Sequence, residues 1–214
     1  MKELIVKEIE DKKIITIVRG ISREALIPLA EALYAGGIRL MECTYDATGK
    51  LSDEENAGNI RMLVEHFKGR MTVGAGTVLT EKQVELTKAA GGKFIISPDT
   101  NPDIIKKTAD LGLVSIPGAL TPSEITLANR AGADFVKLFP VASLGSGYIK
   151  DVKAPLSHVR LLAVGGVNEK NLKEYLEAGA CGIGIGSGII NKKMISEGDF
   201  AGITALAKKY TEQM

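Results

Sequence analysis

The chain is poor in the residues that build disulfides and metal sites. Its 214 residues include two cysteines, Cys43 and Cys181, and two histidines, His66 and His158. Each cysteine lies in an apolar, strand-like run, and neither has CxxC or CxxxH spacing. Both are read as buried free thiols. Two isolated histidines cannot assemble a His-rich cluster; only a carboxylate-held Mg²⁺ stays open, because such a site needs few side chains. Charge of one sign is also scarce. The formal net charge is +1, which gives no global field for nucleic acid or a membrane surface. No apolar run reaches the roughly 20 uncharged residues of a membrane span. The opening MKELIVKEIEDKK is charged throughout and lacks the apolar core of a signal peptide. The expected location is the cytoplasm. No Ser/Pro linker, charge block or low-complexity stretch divides the chain, so residues 1–214 read as one domain with a short N-terminal helix.

What is present is a repeat. A helix ends at Ala-Gly or its equivalent and an apolar run follows: AGGIRLMECT, AGGKFIISPD, LGLVSIPGA, AGADFVKLFP and AGACGIGIGSG. Gly36, Gly91, Gly112, Gly132 and Gly179 stand where a helix C-cap needs a left-handed residue. The runs after them are rich in β-branched and aromatic residues, as strands are. Strands are expected at 14–19, 40–45, 72–78, 94–99, 114–119, 135–140, 161–166 and 181–186, with helices between. Thr80, Thr121 and Asn168 read as N-caps, and Pro122 suits a first helical position. A doubly wound open sheet uses the same alternation. Eight evenly spaced units favour a closed (β/α)8 barrel, although the length is below the roughly 250 residues typical of one.

Within FVKLFP, one residue is out of place. Read as a strand, Phe135, Lys137 and Phe139 share one face and Val136 and Leu138 the other. Both faces are apolar, as in a buried parallel sheet. Lysine is almost never fully buried without a partner. A desolvated lysine loses part of its preference for the charged form, and a neutral amine is a nucleophile. The plainer alternative is a strand-end lysine that snorkels to water.

In a barrel the C-terminal strand ends carry the active site. Those ends here hold Arg19, Glu42 with Thr44, Thr77, Ser97, Pro117, Lys137, Gly165 with Gly166, and Gly186 with Ser187. By the period of two, Glu42 shares a face with Leu40 and Thr44. A carboxylate aimed into a barrel is costly unless paired or protonated. It either does chemistry or simply pairs with Arg19 or Lys137. Arg19 can hold a carboxylate in bidentate fashion or sit in a surface salt bridge. The glycines of AVGGVN and GIGIGSG suit a phosphate on backbone amides, after the last two strands where barrels often place one. Close strand–helix packing is the other use of such glycines.

Taken together, AGGIRLMECT, VGAGTVL, FIISPD, PGALTPSE, FVKLFP, VGGVN and GIGSG resemble the KDPG/KHG aldolase family, the 2-keto-3-deoxy-6-phosphogluconate and 4-hydroxy-2-oxoglutarate aldolases. They span nearly the whole chain in the family's order. The resemblance implies a class I aldolase on a (β/α)8 barrel, usually a homotrimer, acting on a small keto acid through a covalent lysine Schiff base with no metal or other cofactor. It implies Lys137 as the Schiff-base lysine and Glu42 as the general acid/base. Thr77 would line the pocket, with Pro98 and Pro117 shaping it. Gly165, Gly166, Gly186 and Ser187 would hold phosphate, and Arg19 would face the pyruvyl carboxylate. Two positions depart from the family. Asp46 stands where many members have an arginine, and Val164 where many have threonine. Both fall on the substrate side. The stretch YDATGKLSDEENAGN reads as a long, polar second loop, solvated or acting as a lid. Two other functions fit the residues less closely. One is a sugar-phosphate epimerase or isomerase with Glu42 as base and Lys137 as a mere charge. The other is a non-catalytic phosphate-ligand sensor.

Overall fold

The computed structural model describes residues 1–214. Helix α1 (Lys2–Lys12) precedes β1 (Ile14–Val18). The chain then alternates: α2 (Arg23–Ala35), β2 (Leu40–Thr44), α3 (Asp53–Phe67), β3 (Thr72–Gly76), α4 (Glu81–Ala89), β4 (Phe94–Ile96) and α5 (Pro102–Asp110). After β5 (Val114–Ile116) and β6 (Gly118–Ala119) come α6 (Pro122–Arg130), β7 (Val136–Leu138), α7 (Gly145–Lys153), β8 (Leu161–Val164), α8 (Leu172–Glu177), β9 (Gly182–Ile185), α9 (Lys192–Ser196) and α10 (Phe200–Thr211).

All pairings are parallel, in the order β5-β4-β3-β2-β1-β9-β8-β7-β6. The two edge strands, β5 and β6, are consecutive pieces of chain separated only by Pro117. The sheet is therefore a (β/α)8 barrel whose fifth strand is broken in two. Proline has no N–H and cannot donate to a ladder, so it interrupts a strand. Its carbonyl still pairs, accepting from the Lys137 amide at 2.8 Å.

Two apolar layers hold the barrel. The larger lies between the outward side chains of the strands and the helices, and includes Leu29, Leu33, Phe67 and Tyr210. The smaller fills the interior with Ile15, Leu40, Phe94, Ile96, Val114, Ile116, Phe135, Leu162 and Val164, and Val6 and Ile9 of α1 join it. Gly74 lacks a side chain because the Phe94 ring occupies that space. Phe94 and Phe135 are fully buried, and truncating either to alanine should cost about 3–5 kcal/mol.

Several local expectations change. Thr121 heads α6 with a full capping box to Glu124, and Thr80 heads α4 with one closed by Gln83. Asn168 does not cap α8; that helix begins at Leu172, and Asn168 shapes the preceding turn by accepting from the Lys170 amide. Gly91, Gly112, Gly132 and Gly179 take positive φ, whereas Gly36 does not, and Gly37 turns left-handed in its place. The polar stretch 45–59 is only half loop. Ser52 caps α3 through a box with Glu55, so residues 53–59 are helical, and Asn56 and Asn59 are buried.

Candidate active site

A cavity of 260 Å³ opens at the C-terminal end of the barrel. Arg19, Thr77, Pro98, Lys137, Gly165, Gly166, Gly186 and Ser187 all line it, so eight of the expected residues converge. Glu42 and Pro117 do not reach its wall. Glu42 is buried in the barrel close enough to feel the charges of Lys137 and Arg19, and Pro117 acts through the backbone, as described above.

Lys137 sits in β7, paired with Gly118 on one side and Leu162 on the other. Parallel pairing on both sides holds its backbone and aims the side chain inward. The residue is 6% exposed. Its ammonium lies 4.7 Å from the centre of the Phe139 ring. Burial lowers the lysine pKa; Glu42 opposes the shift and Arg19 adds to it. Glu42, in β2, is 2% exposed. Burial pushes its carboxyl up to about 7, against the pull of Lys137 and Arg19. The site thus places a lysine that holds its proton less tightly than usual near a carboxyl whose pKa is raised to about 7. Groups so displaced collect at functional sites.

Two neighbours of this pair show how the site is held. Gly76 ends β3 against Glu42: a Cβ there would collide with the carboxylate oxygen and stand 2.6 Å from its carbon. Thr77 has φ +57°, a region costly for a β-branched residue, by about 1–3 kcal/mol. Its hydroxyl accepts from Arg19 at 3.0 Å, which ties the first strand end to the third.

The opposite wall is backbone. Gly165 and Gly166 both take positive φ, at +93° and +78°. A Cβ on Gly165 would come within 3.1 Å of the Phe139 ring, and one on Gly166 would collide with Ala142. The amides of Gly165, Gly166, Ser187 and Gly188 donate to no acceptor in the chain. Consecutive free amides at a concave surface form an anion nest.

Sequence reasoning passed over Gly76 and the ring of Phe139 as parts of the site. The second was signalled, since Phe139 shares a strand face with Lys137. Gly76 carried no signal, because nothing in VGAGTV says which glycine faces the carboxylate. Asp46 stands apart from the catalytic cavity. Its carboxylate accepts from the amides of Thr48, Lys50 and Leu51 and from the Thr48 hydroxyl. Those hydrogen bonds, first that to the Thr48 amide, pull its pKa down to about 2. Cys43 is buried, and its thiol is pushed up to about 12 by burial, with Glu42 adding.

A parallel barrel with a desolvated lysine in the cavity at its C-terminal end and a buried carboxyl behind it has the parts a Schiff-base lyase uses. The family model described as KDPG and KHG aldolase matches residues 5–206. A 2-dehydro-3-deoxy-phosphogluconate aldolase of Treponema pallidum is 35% identical over 209 residues, covering 96% of this chain and 95% of that protein. A 2-dehydro-3-deoxy-6-phosphogalactonate aldolase of Escherichia coli is 30% identical over 200 residues, covering 93% and 95%. Among solved structures, the KDPG aldolase of Legionella pneumophila, with pyruvate captured as a covalent carbinolamine, superposes with a TM-score of 0.82. It is 30% identical, covering 92% of this chain and 93% of that one. The chain belongs to the KDPG/KHG aldolase family. It is a carbon–carbon lyase of the class I pyruvate aldolases, and the epimerase and sensor alternatives lose their ground.

Proposed function

We propose that Lys137 is the Schiff-base residue and Glu42 the general acid/base of this aldolase, and that the preferred substrate is a phosphorylated 2-keto-3-deoxy sugar acid. The observation that carries the catalytic assignment is the pairing of a buried Lys137 in the cavity with the neutral-range carboxyl of Glu42 behind it. The nest of four free amides supports a phosphorylated substrate over 4-hydroxy-2-oxoglutarate, which has no phosphate to fill it.

The steps follow from the geometry. Neutral Lys137 attacks the C2 ketone, and loss of water gives an iminium, an electron sink beside C3. Arg19, held by Thr77, faces the substrate carboxylate. Glu42, directly or through a water, takes the C4 hydroxyl proton as the C3–C4 bond breaks. The aldehyde leaves, carrying its phosphate from the nest of Gly165, Gly166 and Ser187. The enamine is then protonated at C3 with Glu42 now acting as acid, and hydrolysis frees pyruvate and Lys137. A carboxyl near pH 7 serves in both directions. Phe139 and Pro98 line the pocket, with the Phe139 ring 4.7 Å from the amine.

Borohydride reduction in the presence of pyruvate, followed by peptide mass spectrometry, tests the assignment. A reduced pyruvyl adduct on Lys137 is expected, and Lys137→Ala should abolish both adduct and turnover. An adduct on another lysine, or near-native turnover by Lys137→Ala, would overturn it.

A further inference from the structure

A second cavity, of 580 Å³, adjoins the catalytic one and shares only Arg19 with it. It lies between the outward faces of β1 and β2 and the helices α2 and α3, under the loop that follows β2. Its size is that of a small-molecule site, about 300–1,000 Å³. The floor is apolar and rigid, built from Val18, Leu26, Cys43 and Tyr45.

Two buried polar side chains of α3 also line it, and each is incompletely bonded. Asn56 is 3% exposed and gives its Nδ2 to the Ser52 carbonyl at 2.8 Å, which leaves Oδ1 free. Asn59 is 6% exposed and accepts from Arg23 at 2.6 Å, which leaves Nδ2 free. No polar side-chain atom of the protein is both sealed and unpartnered, so these free atoms keep some access to solvent, and their residues line this cavity. Buried polar groups are almost always bonded. Two half-bonded side chains, Asn56 and Asn59, on one wall of one cavity mark a place for something that completes them.

The mouth is cationic. Arg19, Lys50 and Lys192 surround it against one carboxylate, that of Asp46, whose oxygens are already taken by its own loop. The Lys192 ammonium lies over Gly20, 3.6 Å from where a side chain there would begin, beside Arg19. None of the ion pairs within the chain includes these three cations.

We propose that this cavity is a second ligand site, distinct from the imine pocket, for a small hydroxylated organic acid. Its body rests on the apolar floor, its hydroxyl lies between Asn56 and Asn59, and its anionic group sits among Arg19, Lys50 and Lys192. Arg19 couples the two cavities, because an anion there competes with Thr77 for its guanidinium. A bound acid therefore raises KM for the keto acid. The proposal does not depend on the lysine chemistry, since binding here needs no imine.

The test is titration of ¹⁵N-labelled protein with lactate, malate and mandelate, hydroxy acids that lack a ketone and cannot form an imine. At least one should give saturable shifts at the Asn56 and Asn59 side-chain amides and at the backbone amides of Gly20 and Lys50. The shifts should persist in Lys137→Ala. Affinity should fall about tenfold in Lys192→Ala, an exposed position whose loss leaves the fold alone, and in Asn59→Leu. No saturable shift at these groups with any of the three acids would overturn the proposal. So would shifts confined to Gly165, Gly166 and Ser187, or unchanged affinity in Lys192→Ala.

Discussion

The carboxylate of Glu42 occupies the space in which a side chain on Gly76 would begin. The proposed general acid/base is thus seated by an absence on the neighbouring strand. β2 and β3 pair Thr44 with Gly76, so the two positions cannot slide apart.

Gly76→Ala should consequently displace Glu42 and leave the rest of the barrel in place. A misplacement of about 1 Å at a reacting group costs on the order of 100-fold in rate. We expect kcat to fall by about that factor, with a loss of about 1–3 kcal/mol in stability from overpacking. The pH–rate profile is the discriminating readout. If Glu42 moves, the acid limb shifts with it; a merely structural effect would leave the limb where it was.

The carboxyl of Glu42 binds its proton more tightly folded than unfolded, at about 7 against an ordinary 4.5. Between those values the folded state carries more protons, so stability falls as pH rises through that window. Glu42→Gln removes this contribution. The variant should be inactive yet more stable than the parent at pH 8, by on the order of 2–3 kcal/mol, with the advantage vanishing near pH 4. Urea denaturation at the two pH values measures it. In the parent enzyme, kcat/KM for cleavage should rise with pH through about 7 as Glu42 becomes a base.

Arg19 is expected to bind rather than to transform. Arg19→Lys keeps the charge but loses the planar fork and the bond to Thr77. KM for the keto acid should rise about 10- to 100-fold while kcat changes much less, the pattern of a ground-state contact. Steady-state kinetics decides the matter; an equal loss in kcat would give Arg19 a role in the transition state.

Asp46 organises its loop. In Asp46→Asn the carboxylate that collects three amides and a hydroxyl becomes a weaker acceptor. The amides of Thr48, Lys50 and Leu51 should lose hydrogen-exchange protection, while borohydride trapping at Lys137 continues. Asp46→Arg, which restores the residue common in the family, should loosen the same amides. A gain in keto-acid affinity without loss of loop protection would contradict this account.

The barrel was legible because its signals are local. Helix caps such as Thr121 with Glu124, the glycines that end helices, and apolar runs of strand length each state their structure within a few residues. Lys137 was legible for the same reason, as a charge in a run with two apolar faces. The break at Pro117 was also written in the chain, but proline within VSIPGA says only that donation stops, not that the ladder resumes one residue later. Helix α3 begins inside the stretch whose polar composition reads as loop, and only the Ser52–Glu55 box marks its start.

The amino-acid sequence alone determined the alternation of strands and helices and the presence of a lysine and a glutamate where side chains face inward. Both follow from periodicity and local capping, which depend on near neighbours. The tertiary structure decided how those residues meet. Only closure of the barrel brings Gly76 against Glu42, lets Arg19 reach Thr77 across 58 residues, and desolvates Lys137 enough to lower its pKa. Those are through-space effects, set by distance and burial, and no short segment of the chain contains them.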